Sequence, residues 1–323
     1  MRRRKLGRSN IEVSEVSLGC WTLGGPNWSN GQPIGWAEVD EADAIRAVHY
    51  ALDHGVNHFD NADVYGNGKA ERMLAKALAA RGDEVTIATK VGWHQGTAEH
   101  AYEAHHIRRQ CEQSLRNLRR DVIDLYYFHH GNFGENDMYL DDAVAMMRTL
   151  RDEGKICAVG LSAYSNEDFL RLVPKIEPDA LQSFAHAMDD HFVREGEPVH
   201  NLMKERGLSF VAFSPLGQGL LLGKFSAKSP PQFAEGDNRS RGEKFKADNL
   251  AKLEPKIAKI KERFGSDIRD LARVSIQYLL ASDVVACAIP GFRNLKQVEI
   301  DVAAGEKPLT AEEVSFVREV FAN

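Results

Sequence analysis

Short apolar runs alternate with amphipathic stretches along most of this chain. Runs at 16–20, 85–91, 122–128, 156–161, 180–184, 208–213 and 284–289 are too short for helices. They read as strands buried on both faces. An eighth strand is expected at 56–60, where the pattern is half polar and the assignment leans on its place between the breaks at Gly55 and Gly66. Helices are expected at 42–52, with Asp40 as N-cap, and at 70–80, 103–118 and 141–151. Ser165 opens a short helix, and others follow at 198–205, 249–263, 267–281, 295–304 and 311–321. Residues 3–5 and 11–13 read as a hairpin turned by Gly7-Arg8-Ser9-Asn10.

Eight strands separated by helices predict an α/β chain folded as a closed (β/α)8 TIM barrel, with an N-terminal β-hairpin and extra C-terminal helices. A doubly wound open sheet is the alternative. The first strand is not followed by Gly-x-Gly-x-x-Gly, which weakens a Rossmann assignment. No repeat or linker divides the sequence, so residues 1–323 are expected to form one domain. The polar stretch 218–245 carries little periodicity and is too long for a plain connection. It reads as a loop over cofactor or substrate.

Composition narrows the function. With 43% hydrophobic and 27% charged residues the chain is ordinary globular material. A net charge of −6 argues against a general nucleic-acid or membrane-surface binder. No apolar run reaches the length of a membrane span. No apolar segment follows the basic start Met1-Arg2-Arg3-Arg4-Lys5, so no secretory signal is expected. Cys20, Cys111, Cys157 and Cys287 are far apart and form no CxxC pair. They read as free thiols of a cytoplasmic protein.

In a parallel barrel all strand ends meet at one face. The second strand delivers Asp60 and, just beyond it, Tyr65. The third ends near Lys90 and the fourth leads into His129. A phenol is a poor acid at neutral pH, its pKa being about 10. A neighbouring ammonium is expected to lower that value, a carboxylate to hold the ammonium, and an imidazole to bond a substrate oxygen. Such a set can give a proton to a carbonyl oxygen as it gains charge. Any one of these residues alone has an ordinary reading as a cap, a solvated lysine or a structural histidine.

The segments Phe59-Asp60-Asn61-Ala62-Asp63-Val64-Tyr65-Gly66, Ala88-Thr89-Lys90, Asp124-Leu125-Tyr126-Tyr127-Phe128-His129 and Phe213-Ser214-Pro215-Leu216-Gly217 resemble successive motifs of the aldo-keto reductase family. The likeness runs from the hairpin to Ile289-Pro290-Gly291. It implies an NAD(P)H-dependent enzyme on a (β/α)8 barrel. Tyr65 would be the general acid, tuned by Lys90, with Asp60 paired to Lys90 and His129 orienting the carbonyl. The likeness also implies that Ser162 and Gln182 bond the nicotinamide carboxamide and that Phe213 stacks on its ring. Ser214, Leu216, Gly217 and Gln218 would line the pyrophosphate. Gly291, Arg293 and Gln297 would approach the adenosine and its 2′-phosphate. Arg293 suits a phosphate because its planar fork binds two oxygens.

Four positions depart from the family pattern: Asn61, Ala70, Ala163 and Ile300-Asp301. The last bears on adenine binding and on NADP(H) against NAD(H). All four tryptophans, Trp21, Trp28, Trp36 and Trp93, fall in or beside the loops after the first and third strands. Trp21 and Trp93, just past strand ends, are expected to wall a pocket for a bulky carbonyl.

Other chemistries lack support. The stretch 217–224 has imperfect phosphate-loop spacing, with no Ser or Thr after Lys224. His105-His106 and the pair His186 and His191 do not fit HExxH, and GxSxG is absent, so neither a metal-dependent nor a serine hydrolase is expected. The resulting expectation is an NADP(H)-preferring oxidoreductase acting on a small-molecule carbonyl or alcohol, with no metal, nucleic-acid or membrane partner. Its rival is a cofactor-binding regulatory subunit of a channel or complex, with slow turnover.

Overall fold

The computed structural model describes residues 1–29, 31–79, 81 and 85–322. It opens with an antiparallel hairpin, β1 (Arg3–Lys5) and β2 (Glu12–Ser14). After β3 (Leu18–Gly19) comes a second small hairpin, β4 (Trp28–Ser29) and β5 (Gln32–Pro33), which the sequence pattern did not suggest. The remaining strands are β6 (His58–Asp60), β7 (Thr86–Val91), β8 (Ile123–Phe128), β9 (Ile156–Ser162), β10 (Ala180–Phe184), β11 (Ser209–Phe213) and β12 (Val285–Ile289).

Strands β3 and β6 to β12 pair in parallel, in chain order. The ring closes between its first and last members. Ser17 N–H donates to Ala288 O (3.0 Å), Ala288 N–H to Glu15 O (2.9 Å) and Gly19 N–H to Pro290 O (2.9 Å). The expected (β/α)8 barrel is therefore what this chain forms. The strand expected at 16–20 is regular only at Leu18–Gly19; across the closing seam the chain makes single bridges, Val16 with Ala288 and Gly19 with Gly291.

Helices α1 (Glu41–Asp53), α2 (Lys69–Leu78), α3 (Ala104–Leu118), α4 (Leu140–Asp152), α5 (Asn166–Ile176) and α6 (Pro198–Arg206) follow successive strands. Helices α7 (Ala247–Phe264) and α8 (Ile268–Leu280) precede β12, and α9 (Leu295–Ala303) and α10 (Ala311–Ala322) follow it. Asp40 caps α1 by accepting from Asp43 N–H (2.7 Å), and Ser165 caps α5 through Asp168 N–H (3.1 Å). The helix that Ser165 opens runs eleven residues, longer than its sequence pattern suggested. The expected end of the second helix at Ala80 lies outside the described residues.

Strand alternation sorts side chains into two cores. Phe59, Ile87, Tyr126, Leu161 and Phe210 face the helices. Ala88, Leu125, Tyr127, Ala158, Val211 and Cys287 fill the barrel, and Leu6 and Val13 of the hairpin plug it from below. Gly160 is required inside: a Cβ there would lie 2.2 Å from the Tyr127 ring. The polarity of β6 now has a reason. His58 and Asp60 point into the barrel and Phe59 points out. In the same alternation Lys90, Ser162, Gln182 and Phe213 arrive inward at the C-terminal ends of their strands. Among the described residues no helix is long and apolar enough to cross a membrane. All four cysteines are free.

The lower end is tied by charge. The Glu15 carboxylate, with 4% of its side chain exposed, accepts from Arg2 Nε (2.6 Å) and Arg4 Nε (2.7 Å). Arg4 also donates to the carbonyls of Leu280 (2.7 Å) and Val285 (2.8 Å), binding the hairpin to the last helix and strand. Arg2 is 51% exposed and Arg4 28%. Arg4→Ala leaves Glu15 short of its buried partner and should cost about 3 kcal/mol. Arg2→Ala should cost under about 1 kcal/mol, as for exposed pairs. Urea midpoints of the two variants measure the difference, and equal losses would contradict this account of the seam.

Candidate active site

At the upper rim, Lys90 is fully buried and reaches three acceptors. Its Nζ lies 2.5 Å from Asp60 Oδ2, 2.6 Å from Asn61 O and 3.4 Å from the Tyr65 hydroxyl. The other Asp60 oxygen accepts from Gln182 Nε2 at 2.8 Å. Residues from β6, β7 and β10 thus meet in one hydrogen-bonded cluster. Asn61, where the family pattern differs, uses its side-chain oxygen locally, accepting from Ala62 N–H (3.0 Å).

Tyr65 sits in the turn after β6, its N–H bonded to Ala62 O (3.1 Å). That turn packs against the loop after β3 so tightly that both touching residues must be glycine. A Cβ on Gly24 would lie 2.7 Å from Gly66 N, and one on Gly66, whose φ is +58°, would lie 2.5 Å from Gly24 O. This approach lays the Trp21 ring over the Tyr65 ring, with centroids 6.0 Å apart and planes 26° from parallel. His129 follows β8, its N–H bonded to Val91 O (2.9 Å), and meets Tyr65 edge-on at 5.8 Å. His130 turns away, as alternation requires, and bonds Gly92 O through Nε2 (2.9 Å).

The electrostatics correct one sequence expectation. Burial pushes the Tyr65 phenol well above its ordinary value, and the Asp60 carboxylate pushes it the same way. Lys90 does not make the phenol acidic here. Its charge is matched at 2.5 Å by Asp60, so it offsets only part of the penalty that removal of water places on a phenolate. Burial also lowers Lys90, against the pull of Asp60. His129 falls well below the usual imidazole range through burial, then through Lys90 and His130. The ring is neutral at physiological pH, and among the described residues its buried Nδ1 has no partner.

These groups open onto a cavity of about 650 Å³, a size typical of small-molecule sites. Asp60, Tyr65 and His129 line it, as do Trp21 and Trp93; Lys90 stands behind the wall. Ser162, Gln182, Phe213, Ser214, Leu216, Gln218, Gly291, Arg293 and Gln297 line it as well. Gly217 does not. Its N–H is bonded to Ser214 O (2.8 Å), and a Cβ there would meet Met188 at 2.5 Å, so it faces the loop's packing and not the cavity. Ser214 and Gln218 hold left-handed backbone, with φ of +56° and +57°. Strain of this kind gathers at ligand sites.

Sequence reasoning gave no wall role to Thr22, Tyr164, Lys224 or Arg239, which line the cavity; Trp36 and Asp301, singled out among the tryptophans and at the adenine end, line it too. Tyr164 lies two residues past Ser162, and that spacing was a usable signal. Nothing in the aperiodic 218–245 stretch distinguishes Lys224 or Arg239 from its other cations.

The wall fits a nicotinamide dinucleotide. Among the described residues the buried Ser162 Oγ has no hydrogen-bond partner; Ser162 pairs in register with Gln182, which bonds Asp60. Farther along, Lys224 and Arg293 are both pulled down, first by burial and then by the neighbouring cation Arg239. Cations crowded in this way are suited to an anion. Among the described residues no group of three or more His, Cys, Asp or Glu could hold a metal ion.

Comparison with known proteins agrees with this site. The model of the Aldo/keto reductase family matches residues 15–322. Aldo-keto reductase str7 of Strobilurus tenacellus is 32% identical, over 98% of this chain and 91% of its own. L-galactose dehydrogenase of Arabidopsis thaliana is 27% identical, over 93% and 87%. Among solved structures, the glycerol dehydrogenase AKR11B4 of Gluconobacter oxydans superposes with a TM-score of 0.80 at 27% identity, covering 99% of this chain and 95% of that one. The holo form of aldo-keto reductase AKR11C1 from Bacillus halodurans gives 0.77 at 29% identity, covering 99% and 96%. The chain belongs to the aldo-keto reductase family and is an NAD(P)H-dependent oxidoreductase.

Proposed function

We propose that this enzyme interconverts a carbonyl and an alcohol with Tyr65 as the proton donor and acceptor, preferring NADP(H). The observation that carries the reading is the contact of Lys90 Nζ with both Asp60 (2.5 Å) and the Tyr65 hydroxyl (3.4 Å). A reduced nicotinamide held by Ser162 and Phe213 would supply the hydride that the carbonyl carbon takes up. Tyr65, kept protonated by burial, gives its proton to the carbonyl oxygen as charge develops there. The resulting phenolate lies within reach of the Lys90 ammonium, which stabilises it only when it forms. Neutral His129 donates from Nε2 to the same oxygen, because a proton on Nδ1 would be a buried donor with nothing to bond. Gln182 holds Asp60, and through it Lys90, while Ser162 and Phe213, which line the cavity, would receive the nicotinamide.

Residues 218–245 cover the cofactor within what we read as one barrel domain. Among the described residues Lys224 and Arg293 have no ion-pair partner, and they form the cationic end suited to pyrophosphate and a 2′-phosphate. Two relatives named above are dehydrogenases of polyhydroxylated compounds, glycerol and L-galactose. Sugar-like carbonyls therefore belong beside aromatic aldehydes as substrates to test against the aromatic walls of Trp21 and Trp93.

Tyr65→Phe should slow reduction of an aromatic aldehyde by at least about a hundredfold, the scale of a lost general acid. NADPH should bind the variant as it binds the parent, by fluorescence titration. A variant as fast as its parent would remove Tyr65 from the reaction. Arg293→Met should weaken NADPH roughly ten- to a hundredfold, the loss of one or two charge-assisted hydrogen bonds, and leave NADH nearly unchanged. Equal affinities of the parent for NADPH and NADH would contradict the proposed preference.

A further inference from the structure

One side chain of the long loop is held in a way that reaches the reaction centre. The Arg239 guanidinium lies between two rings, 4.6 Å from the centroid of Trp36 and 4.4 Å from that of Phe233. It is locked in the plane of the Asp237 carboxylate by two bonds, Nε–Oδ1 at 3.0 Å and Nη2–Oδ2 at 2.7 Å. Asp237 is fully buried and Arg239 is 8% exposed. Trp36 meets Trp21 edge-on at 5.3 Å, and Trp21 lies over the Tyr65 ring at 6.0 Å. Trp21 is pinned by its own N–H, which donates to Ile34 O at 3.1 Å.

The backbones beside this stack are joined as well. Gly35 N–H donates to Gly236 O (3.0 Å), and Asn238 N–H donates to Gly35 O (2.8 Å). Three elements far apart in sequence, the 21–36 loop, the Tyr65 turn and the 218–245 loop, are therefore connected through one continuous stack. At its far end Phe233 packs on Phe245 and Phe225, which with Leu220 and Leu250 form a small core belonging to the long loop and the start of α7.

A guanidinium between two aromatic faces does what an alkyl chain or an ammonium does less well, because it is planar and weakly hydrated. The buried Asp237 fixes the plane and balances the charge. Arg239 is thereby largely committed to the stack, whereas among the described residues Lys224 and Arg293 are not ion-paired with any acid. We propose that Arg239 is a positioning residue for the substrate wall: clamped between Trp36 and Phe233, it couples the 218–245 loop to the Trp36–Trp21–Tyr65 ring stack. Its removal should loosen the aromatic wall beside Tyr65 even when the nicotinamide cofactor is saturating. The inference rests on the reading of Tyr65 as the proton donor, and its test includes a measurement that does not.

Arg239→Met alone strands the buried Asp237, so the charge-balanced variant Asp237→Asn with Arg239→Met is used, and Trp36→Leu removes the stack from its other side. In the protein without added cofactor, the circular dichroism of the coupled Trp21–Trp36 pair should be lost in Trp36→Leu and clearly reduced in the Asp237→Asn, Arg239→Met protein. At saturating NADPH the latter should show KM for an aromatic aldehyde raised about tenfold, the scale of one buried cation–π contact. Adding Trp36→Leu to it should give no further rise beyond Trp36→Leu alone, since both act through one contact. An unchanged tryptophan signal with an unchanged carbonyl KM would overturn the proposal, as would multiplicative effects of the two changes. So would a defect confined to NADPH affinity. If the parent reduces no carbonyl, the reading of Tyr65 fails, and the tryptophan signal still decides whether Arg239 holds the stack.

Discussion

A single ion pair sets the terms for the upper half of this barrel. Lys90 and Asp60 face each other at 2.5 Å with almost no access to water. Two charges brought into such a place are costly unless every donor and lone pair is used, and removing one partner costs several kcal/mol because the other is stranded. The surroundings meet that demand. Asn61 O takes a second Lys90 proton, and Gln182 reaches across the barrel to the free Asp60 oxygen. The Tyr65 hydroxyl lies beside the third. Burying such a pair requires inward-pointing residues at the ends of β6, β7 and β10, which the closed parallel sheet supplies.

The pair also defines what the phenol can do. A lone ammonium beside Tyr65 would favour phenolate; one already matched by a carboxylate favours it less, and burial outweighs it in the resting protein, so the phenol stays protonated. A protonated phenol is the state needed to reduce a carbonyl. In the proposed mechanism stabilisation arrives late, when charge moves onto the Tyr65 oxygen within reach of Lys90. That is an interaction stronger in the transition state than before it. The neutral His129 fits the same logic, since it can bond a developing oxyanion without adding a fixed charge to a site already holding two.

Much of this was legible in the chain. Apolar runs without alternation marked the barrel strands because both strand faces are buried. The strand ends carried Asp60, Lys90 and His129, so a rim of convergent groups could be read from topology alone. The polarity of residues 56–60 weakened that strand's signal for a physical reason: its inward positions hold His58 and Asp60, not aliphatic groups. Other features were out of reach. The direction of the Tyr65 shift depends on the Lys90–Asp60 distance and on burial, neither of which spacing reveals. Gly217 sits within a cavity-lining stretch yet faces Met188, because left-handed turns at Ser214 and Gln218 break any alternation. The Arg239 sandwich joins loops about two hundred residues apart, and no local pattern encodes such a contact.

The most direct test of the central claim is the ionisation of Tyr65 itself. The difference in tyrosinate absorbance between the parent and Tyr65→Phe, followed against pH without added cofactor, isolates that one phenol. A phenol governed by burial and a charge-matched Lys90–Asp60 pair remains protonated past pH 10. Tyrosinate appearing near neutral pH would show that Lys90 acts on it as an unmatched cation, contrary to this account.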